Sequence, residues 1–429
     1  MMTFALLLGL TSQSEKSMPI EPSSLTTIQQ SYTPVKVEVI KSASGWQLVR
    51  GGKPYFIRGV GGTGRMDDLV RSGGNSMRTW GTERAGIELE EANQRGLTIQ
   101  LGIWLGHKEY FDFKNVAQVE EQFQRCRNDI LAFRNHPALL MWAFGNEMEN
   151  GQDIPETWQA IEQIAKYSKK VDPYHPTSTV IADFNESKIQ NIIKYAPSID
   201  VLGINSYGGV RDLAVRLKKA GWTKPYTVTE FGPNGPWELP KTEWKAGFEQ
   251  TSTEKASQYR AAYENTIYGQ PGWCLGSFAF LWGDKQEETP TWFGMFLPSG
   301  ERTEAVDVAT KFWTGKEPEN RCPRISAFET SLRGKVITKG DTFSASVSAT
   351  DPDGDKLTYV WQVYSESRDK RFDGQGEEKP KLISGPWDAV GGNKCELKFP
   401  NFTGSYRLYV KVLDGKGNAA VANHPFRVQ

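Results

Sequence analysis

The chain has 429 residues, more than one hydrophobic core usually supports, so its length predicts two domains. Its 51 basic residues balance 51 acidic residues, which argues against a nucleic-acid-binding protein because such a protein normally has a basic excess. The four cysteines and four histidines form neither a CxxC nor an HExxH pattern, so no metal site is predicted from them. Cys322 and Cys395 would pair in an exported protein or stay as free thiols.

The N-terminal segment carries a short apolar run, FALLLGL at residues 4–10. It is too short to span a bilayer and resembles the apolar part of a secretory signal. Residues 1–35 are therefore predicted to be a signal-like and linker segment, and the protein to be secreted or periplasmic. No other segment is apolar enough to predict a transmembrane helix.

From residue 36 onward, short apolar runs alternate with amphipathic stretches that have helical spacing. The runs are YFIRGV, SMRTWG, TIQLGIWLG, ALLMWAFGNE, TSTVIAD, VLGINSYG, TVTEFG and GSFAFLWG. Strand–helix alternation predicts a parallel sheet, and eight units within residues 36–316 predict an α/β fold of the (β/α)8 TIM-barrel type. An open doubly wound sheet is the alternative, but no Gly-rich phosphate loop follows the first strand.

The pattern changes after a linker at residues 317–324. Residues 325–429 alternate apolar and polar residues between Asp-Gly turns, which predicts a small all-β sandwich of immunoglobulin-like type. The acidic run ATDPDGDK at 349–356 resembles turns of cadherin-like and PKD-like sandwiches that sometimes hold calcium. A plain Asp-Gly turn explains the run equally well, so a structural calcium ion is the single cofactor considered.

Polar and aromatic residues occur where the predicted barrel strands end, the position of active sites in this fold. They are Arg78, Trp80, Trp104, His107, Asn146, Glu147, Asn205, Tyr207, Glu230 and Trp282. Two carboxylates, an arginine, amides and aromatic rings suit the hydrolysis of a glycosidic bond, which needs an acid, a nucleophile and a surface for sugar faces. Glu147 and Glu230 stand in apolar surroundings, where a carboxylate needs a partner or a shifted pKa. Glu149 is expected to be a solvated loop residue.

Four segments carry a family resemblance. HPALLMWAFGNEME (136–149) resembles the acid/base strand of clan A glycoside hydrolases, and LGINSYGG (202–209) with KKAGWTKPYTVTEFGP (218–233) resembles strands six and seven of family 2 members. GKPYFIRGVGG (52–62) is similar to the entry into their first strand. The resemblance covers roughly residues 45–315. It departs from the family in one respect, because the two sandwich domains that usually precede the barrel are not found and a sandwich follows it.

The resemblance implies a role for each matched residue. Glu147 would be the acid/base and Glu230 the nucleophile. Asn146 would bind the sugar 2-hydroxyl, Tyr207 would orient the nucleophile and Arg78 would keep Glu230 ionised. Trp282 would form the floor beneath the reacting sugar.

The remaining residues of the rim, Trp80, Trp104, His107 and Asn205, are expected to contact sugar, although Trp80 and Trp104 also fit a barrel interior. The predicted function is a retaining β-glycoside hydrolase acting on a β-linked oligo- or polysaccharide such as a β-glucan. A transglycosylase of the same mechanism and a non-catalytic carbohydrate-binding surface protein are the alternatives. The expected partner is a carbohydrate, with no nucleic acid.

Overall fold

The computed structural model describes residues 32–367, 377–384, 390–398 and 403–429. The apolar run at residues 4–10, and nearly all of the predicted 1–35 segment, lies outside the described residues, so the signal and the export that it implies stay predictions. Within the described ranges, no helix combines the length and apolar character that crossing a membrane requires.

A small antiparallel sheet precedes the barrel. Its strands are β1 (Val37–Ser42), β2 (Gly45–Arg50) and β3 (Lys53–Tyr55). Val37 and Leu48 pack against residues at the starts of barrel strands, among them Ile57 and Val201. The sheet therefore covers the N-terminal end of the barrel and leaves the opposite end for a site.

Eight parallel strands form a closed barrel in chain order. They are β4 (Ile57–Gly61), β5 (Ser76–Arg78), β6 (Thr98–Ile103), β7 (Leu139–Asn146), β8 (Thr177–Ile181), β9 (Val201–Asn205), β10 (Tyr226–Phe231) and β11 (Cys274–Ala279). Closure is made by β11 and β4, with Gly276 opposite Ile57. The strands are nearly continuous apolar runs because both their faces are buried. The predicted TIM barrel is confirmed.

Helices α1 to α8 cover the barrel. They are α1 (Met66–Arg71), α2 (Ala85–Gln94), α3 (Val116–Phe133), α4 (Pro155–Val171), α5 (Glu186–Tyr195), α6 (Leu213–Lys219), α7 (Ser252–Ala262) and α8 (Glu304–Thr314). Local chemistry sets several of their ends. The Asn115 side chain accepts from the first turn of α3, Thr251 and Glu254 form a capping box at α7, and α8 ends at Gly315 with φ 75°.

Two further sheets follow the barrel. One has the order β12-β14-β18, and the other has the order β13-β20-β19-β15-β16 with β17 also paired to β15. Their bounds are β12 (Arg324–Thr330), β13 (Val336–Ile337), β14 (Thr342–Thr350), β15 (Thr358–Ser365), β16 (Leu382–Ile383), β17 (Val390–Gly391), β18 (Lys394–Lys398), β19 (Gly404–Leu413) and β20 (Ala419–Val428). Trp361, Leu408 and Val410 lie in their shared core. An all-β region after the barrel is thus confirmed, while its immunoglobulin type and the predicted domain boundaries stay predictions.

The C-terminal sheets pack on the loop between β11 and α8. Leu297 of that loop forms a buried cluster with Tyr409, Ala419 and Val421. Cys322 and Cys395 are both buried free thiols, so the pairing considered from the sequence does not occur in the structure.

Candidate active site

The carboxyl ends of the barrel strands bring the predicted polar residues together. Arg78 is the last residue of β5, Asn146 of β7 and Asn205 of β9. Glu147 follows β7 directly, and Glu230 is the penultimate residue of β10. Since parallel strands of a barrel end on the same rim, residues far apart in sequence meet there.

Glu147 has an unusual backbone conformation for a residue with a side chain. Its φ is 55°, and Gly145 two residues earlier has φ 77°. Its amide donates to the carbonyl of Val180 at 2.9 Å, which fixes the end of β7 against β8. A left-handed glutamate costs free energy and persists where its surroundings over-determine it, as happens at functional sites.

Glu230 accepts hydrogen bonds from three side chains. Arg78 Nη1 donates to Glu230 Oε1 at 2.8 Å and Trp80 Nε1 donates to the same oxygen at 2.9 Å. The Tyr207 hydroxyl donates to Oε2 at 2.9 Å. Burial, and next the negative charge of Glu230, raise the pKa of Tyr207 well above its ordinary value, so the phenol stays a neutral donor. The carboxylate is held in one orientation, with both oxygens bonded.

Arg78 connects three barrel strands. Its guanidinium is 1% exposed and donates to Glu230, to the carbonyl of Thr229 at 3.0 Å and to Asn146 Oδ1 at 2.5 Å. A planar guanidinium suits this task because its donors diverge in fixed directions. Arg78 does not itself line the cavity; it reaches the site through the residues that it orients.

Asn205 contacts the other glutamate. Its Nδ2 donates to Glu147 Oε1 at 2.6 Å and to Asn146 Oδ1 at 3.1 Å, while its Oδ1 accepts from Thr229 Oγ1 at 2.8 Å. The threonine therefore fixes which end of the amide faces Glu147. Asn205, predicted to contact sugar, lies in direct contact with the acid/base candidate.

The two glutamates have different electrostatic surroundings. Burial, and next the negative charge of Glu230, raise the pKa of Glu147 to about 7, and the hydrogen bond from Asn205 opposes this rise. Glu147 accepts from Asn205 at 2.6 Å and from Asn150 at 3.4 Å, whereas Glu230 has three donors within 2.9 Å, including a guanidinium. Glu147 therefore holds and releases a proton near neutral pH, as an acid/base catalyst must.

Both glutamates line one open cavity of about 970 Å³. The lining residues are Trp80, Trp104, His107, Glu109, Asn146, Glu147, Asn150, Ala182, Asp183, Asn205, Ser206, Tyr207, Glu230, Trp237, Glu238, Phe280, Leu281, Lys285 and Glu287. Trp104 and His107 stack with their rings 4.6 Å apart. Trp237 is 55% exposed and meets Tyr207 edge to face. Flat aromatic surfaces border the carboxylates, as sugar binding requires.

The structure corrects one predicted residue. Trp282 is 2% exposed, packs against Phe296 and Trp313, and donates from Nε1 to the carbonyl of Arg65. It does not reach the cavity, so it cannot form the floor beneath a sugar. β11 ends at Ala279, and Phe280, the next residue, lines the cavity instead.

The sequence analysis missed several polar residues of the cavity, namely Glu109, Asn150, Asp183, Glu238, Lys285 and Glu287. All lie after strand ends, and charged residues in loops are common enough to give no distinctive signal. Glu149 also differs from expectation. It is 1% exposed and accepts from Lys188 Nζ at 2.8 Å, so the loop after β7 is fixed by a buried ion pair.

The acidic run of the C-terminal region forms a small cluster. Carboxylate oxygens of Asp351, Asp355 and Asp414 lie within 4.8 Å of one another. Lys416 contacts Asp355 at 2.7 Å, which already supplies positive charge there. A structural calcium ion at this turn stays a prediction.

Fold and site together define a class of protein. A closed parallel barrel with glutamates after its fourth and seventh strands and aromatic residues on the same rim has the architecture of a clan A glycoside hydrolase catalytic domain. Residues 83–235 match the family model described as glycosyl hydrolases family 2, TIM barrel domain. The matched segment is about a third of the chain and contains both Glu147 and Glu230, so this part of the barrel is similar to the barrel domain of that family.

Individual proteins show the same likeness at low identity. The chain is 23% identical to a beta-glucuronidase of Paenibacillus borealis over 48% of this chain and 37% of that protein. The beta-glucuronidase of Homo sapiens is 23% identical over 43% and 30% of the respective chains. The chain thus spans about a third of the length of these curated relatives.

Solved structures agree in fold. A beta-glucuronidase of an uncultured Clostridium sp. superposes with a TM-score of 0.52 at 17% identity, over 66% of this chain and 54% of that one. Beta-glucuronidase 2 of Bacteroides uniformis, covalently bound to cyclophellitol-6-carboxylate aziridine, has a TM-score of 0.52 at 13% identity, over 92% and 48%. Both likenesses concern the fold alone.

Proposed function

We propose that the protein is a retaining β-glycoside hydrolase that cleaves a neutral β-linked oligo- or polysaccharide, a β-glucan, by double displacement. The observation that carries the proposal is the pair of rim glutamates in unlike surroundings. Glu230 has three fixed donors, and Glu147 has a pKa raised to about 7. A nucleophile and an acid/base catalyst need that difference.

In the first step, Glu147 donates its proton to the glycosidic oxygen as the bond from that oxygen to the anomeric carbon breaks. A Glu230 oxygen forms an ester bond to the anomeric carbon from the opposite face. Asn146 Oδ1 accepts from both Arg78 and Asn205, which leaves Nδ2 to donate to the sugar 2-hydroxyl. That contact strengthens as positive charge develops on the sugar.

In the second step, Glu147 acts as a base. Ester formation removes the charge of Glu230, and this charge is the second largest cause of the raised Glu147 pKa. Glu147 therefore becomes a stronger acid once its proton has gone to the leaving group and stays ionised. It takes a proton from water while the water oxygen attacks the anomeric carbon and releases Glu230.

The charge of the cavity favours a neutral sugar. Glu109, Asp183, Glu238 and Glu287 line it in addition to the catalytic pair. Lys285 is 2.5 Å from Glu287 and Arg216 is 2.7 Å from Asp183, so each of these pairs is balanced, and Glu109 and Glu238 supply the remaining negative charge. The carboxylate of a uronic acid would meet an excess of negative charge, so we propose a substrate class different from that named for the beta-glucuronidase relatives.

The first test compares substrates and variants. Wild type is expected to cleave aryl β-glucosides and β-glucan oligosaccharides with retention at the anomeric carbon, followed by NMR, and to act far more slowly on aryl β-glucuronides. Glu230→Gln should lower kcat/KM by roughly a thousandfold or more, because the nucleophile is lost. Glu243→Gln, an exposed glutamate in the loop after β10, is the matched control and should leave activity unchanged.

Azide assigns the two roles separately. With an activated aryl β-glucoside, Glu230→Ala should form the α-glycosyl azide, because azide takes the place of the missing nucleophile. Glu147→Ala should form the β-glycosyl azide, because Glu230 still forms the ester and azide replaces water in the second step. An inverted product from wild type, or the same azide anomer from both variants, contradicts the mechanism. A preference for glucuronides contradicts the proposed substrate class alone.

A further inference from the structure

The loop between β11 and α8, residues 280–303, separates the active site from the C-terminal sheets. Within it, Lys285 and Glu287 line the cavity. Their neighbours Gln286 and Glu288 are 8% and 2% exposed and contact groups on the other side. Side chains of segment 285–288 therefore alternate, so that one face of the segment borders the cavity and the other packs against protein.

Glu377, in the C-terminal region, holds that hidden face. Its Oε2 accepts from the backbone amide of Glu288 at 2.9 Å and from Gln286 Nε2 at 3.2 Å. Both contacts are buried, where a hydrogen bond is strong and its loss leaves a donor without water. One carboxylate from outside the barrel thus holds the side chain of Gln286, which lies between the two cavity-lining residues, and the backbone amide directly after Glu287.

The following turn of the loop is held by Glu249, a barrel residue that precedes α7. Thr289 Oγ1 donates to Glu249 Oε2 at 2.6 Å and Thr291 Oγ1 donates to Oε1 at 2.8 Å. Lys255 of α7 pairs with the same carboxylate. Burial acts to raise the pKa of Glu249, but Lys255 and Arg407 together hold it below its ordinary value.

Asn423 of β20 joins Glu249 to the C-terminal sheets. Its Nδ2 donates to Glu249 Oε2 at 2.7 Å, and its Oδ1 accepts from Arg407 Nη1 at 2.7 Å. Arg407 is 1% exposed and pairs with Glu366 at 2.8 Å, so its guanidinium is fixed in turn. Because Arg407 occupies the amide oxygen, the amide nitrogen must face Glu249. The buried chain of contacts therefore runs from β19 and β20 into the active-site loop.

We infer that the C-terminal region supports one wall of the active site, with Asn423 and Glu377 as positioning residues for Lys285 and Glu287. The wall lies on the nucleophile side, because Lys285 Nζ is 5.2 Å from the ring centroid of Phe280, whose amide donates to the carbonyl of Phe231, the residue after Glu230. The inference deepens the proposed function and rests on it for the identity of the ligand. It adds a role for a region that the family model does not cover.

Hydrogen–deuterium exchange on the full-length protein tests the positioning without any substrate. Glu377→Ala should speed exchange of the 284–291 peptide at least tenfold, because the Glu288 amide loses its acceptor, and should leave β10 unchanged. Asn423→Leu should have the same effect through Glu249. Glu377→Gln keeps an oxygen acceptor and should restore slow exchange. Glu329→Ala, an exposed glutamate of β12, is the matched control.

Kinetics distinguish a positioned wall from general support of the fold. Glu377→Ala and Asn423→Leu should raise KM for β-glucan oligosaccharides about fivefold to tenfold, the effect of misplacing about one hydrogen bond. Their kcat and the basic limb of the pH profile should stay within about twofold of wild type, since neither variant touches Glu147 or Glu230.

The two readouts keep this inference separate from the proposed function. Faster exchange in 284–291 supports the wall even where wild type cleaves none of the tested glycosides, which would instead reject the proposed function. The inference is overturned if exchange is unchanged in both variants. It is also overturned if kcat falls equally on every substrate and the melting temperature is lowered. In the latter case, Asn423 and Glu377 would be ordinary stabilising residues.

Discussion

Glu147 and Glu230 are the same amino acid at the ends of similar strands, and their neighbours make them different. Glu230 accepts hydrogen bonds from Arg78, Trp80 and Tyr207, which lie at or just after the ends of other strands. Glu147 accepts a hydrogen bond from Asn205 and is close enough to Glu230 for that negative charge to raise its pKa. Burial raises the pKa of Glu147, which has few donors, so the distribution of donors assigns the proton to Glu147.

The raised pKa of Glu147 predicts a cost in stability. Its pKa rises from 4.5 to about 7 on folding, so the stability associated with the protonated side chain is present below about pH 4.5 and lost as pH rises through about 7. Glu147→Gln cannot ionise. The variant should match wild type near pH 4 and gain up to about 3 kcal/mol in free energy of unfolding by pH 8.

Urea unfolding of both proteins at pH 4, 6 and 8 measures this difference. Glu243→Gln, in an exposed position, should show no pH-dependent gain and serves as the control. A gain for Glu147→Gln that is the same at every pH would show that the glutamate is not strained by its charge, and would remove the electrostatic basis for its assignment as the acid.

At the scale of the strands, the sequence predicted most of the rim. Arg78, Asn146, Asn205 and Glu230 each follow from a simple rule, because a polar residue closing an apolar run lies at a strand end. The prediction for Trp282 was wrong because β11 ends at Ala279, whereas the apolar run in the sequence continues to Trp282. Apolar content gives the existence of a strand but not its last residue.

The same rule does not predict which loop residues line the cavity. Lys285 and Glu287 occupy the cavity because Glu377 and Glu249, distant in sequence, hold the opposite side of their loop. No local pattern encodes such contacts. The prediction for Glu149 was wrong for the same reason, since its partner Lys188 lies on α5, beyond the next helix and strand along the chain.

The loop after β6 supplies an aromatic element with a testable role. Trp104 stacks on His107, and its Nε1 donates to the Tyr110 hydroxyl at 2.8 Å, so the indole is held in place before a ligand arrives. Trp104→Ala should raise KM for β-glucan oligosaccharides about tenfold, since a sugar face loses its aromatic platform. Activity on an aryl β-glucoside, which is too short to span the cavity, should change less than about threefold.

Steady-state kinetics on substrates of increasing length provide the measurement. Trp46→Ala, in the small sheet at the opposite end of the barrel, is a matched tryptophan control. An equal loss on short and long substrates would assign Trp104 to the barrel interior, the other role that its sequence position allowed.

At the scale of the whole molecule, the break in sequence pattern near residue 316 predicted two domains. The contacts between the barrel and the C-terminal sheets indicate that each stabilises the other. Composition reveals a linker, but a surface shared between two regions has no signature in either. Here the Val421 amide donates to Ser252 Oγ at 3.0 Å, and Arg302 exchanges backbone hydrogen bonds with Gly417 and Ala419. A wall of the candidate site depends on the same surface.

Such a surface predicts that barrel and C-terminal sheets unfold together. Val421 is 3% exposed in a cluster with Leu297 and Tyr409, so Val421→Asp buries a charge in an apolar contact, which costs free energy even beside its cross-strand neighbour Lys411. The cost should be about 3 kcal/mol and should lower a single thermal transition by roughly 3–6 °C. Val336→Asp, at a position 43% exposed on β13, should leave the transition in place. Calorimetry that resolves two transitions, of which only one moves in Val421→Asp, would mean that the sheets fold independently of the barrel. The active-site loop would then have to keep its conformation without the C-terminal sheets, because sheets that unfold before the barrel cannot hold that loop in place.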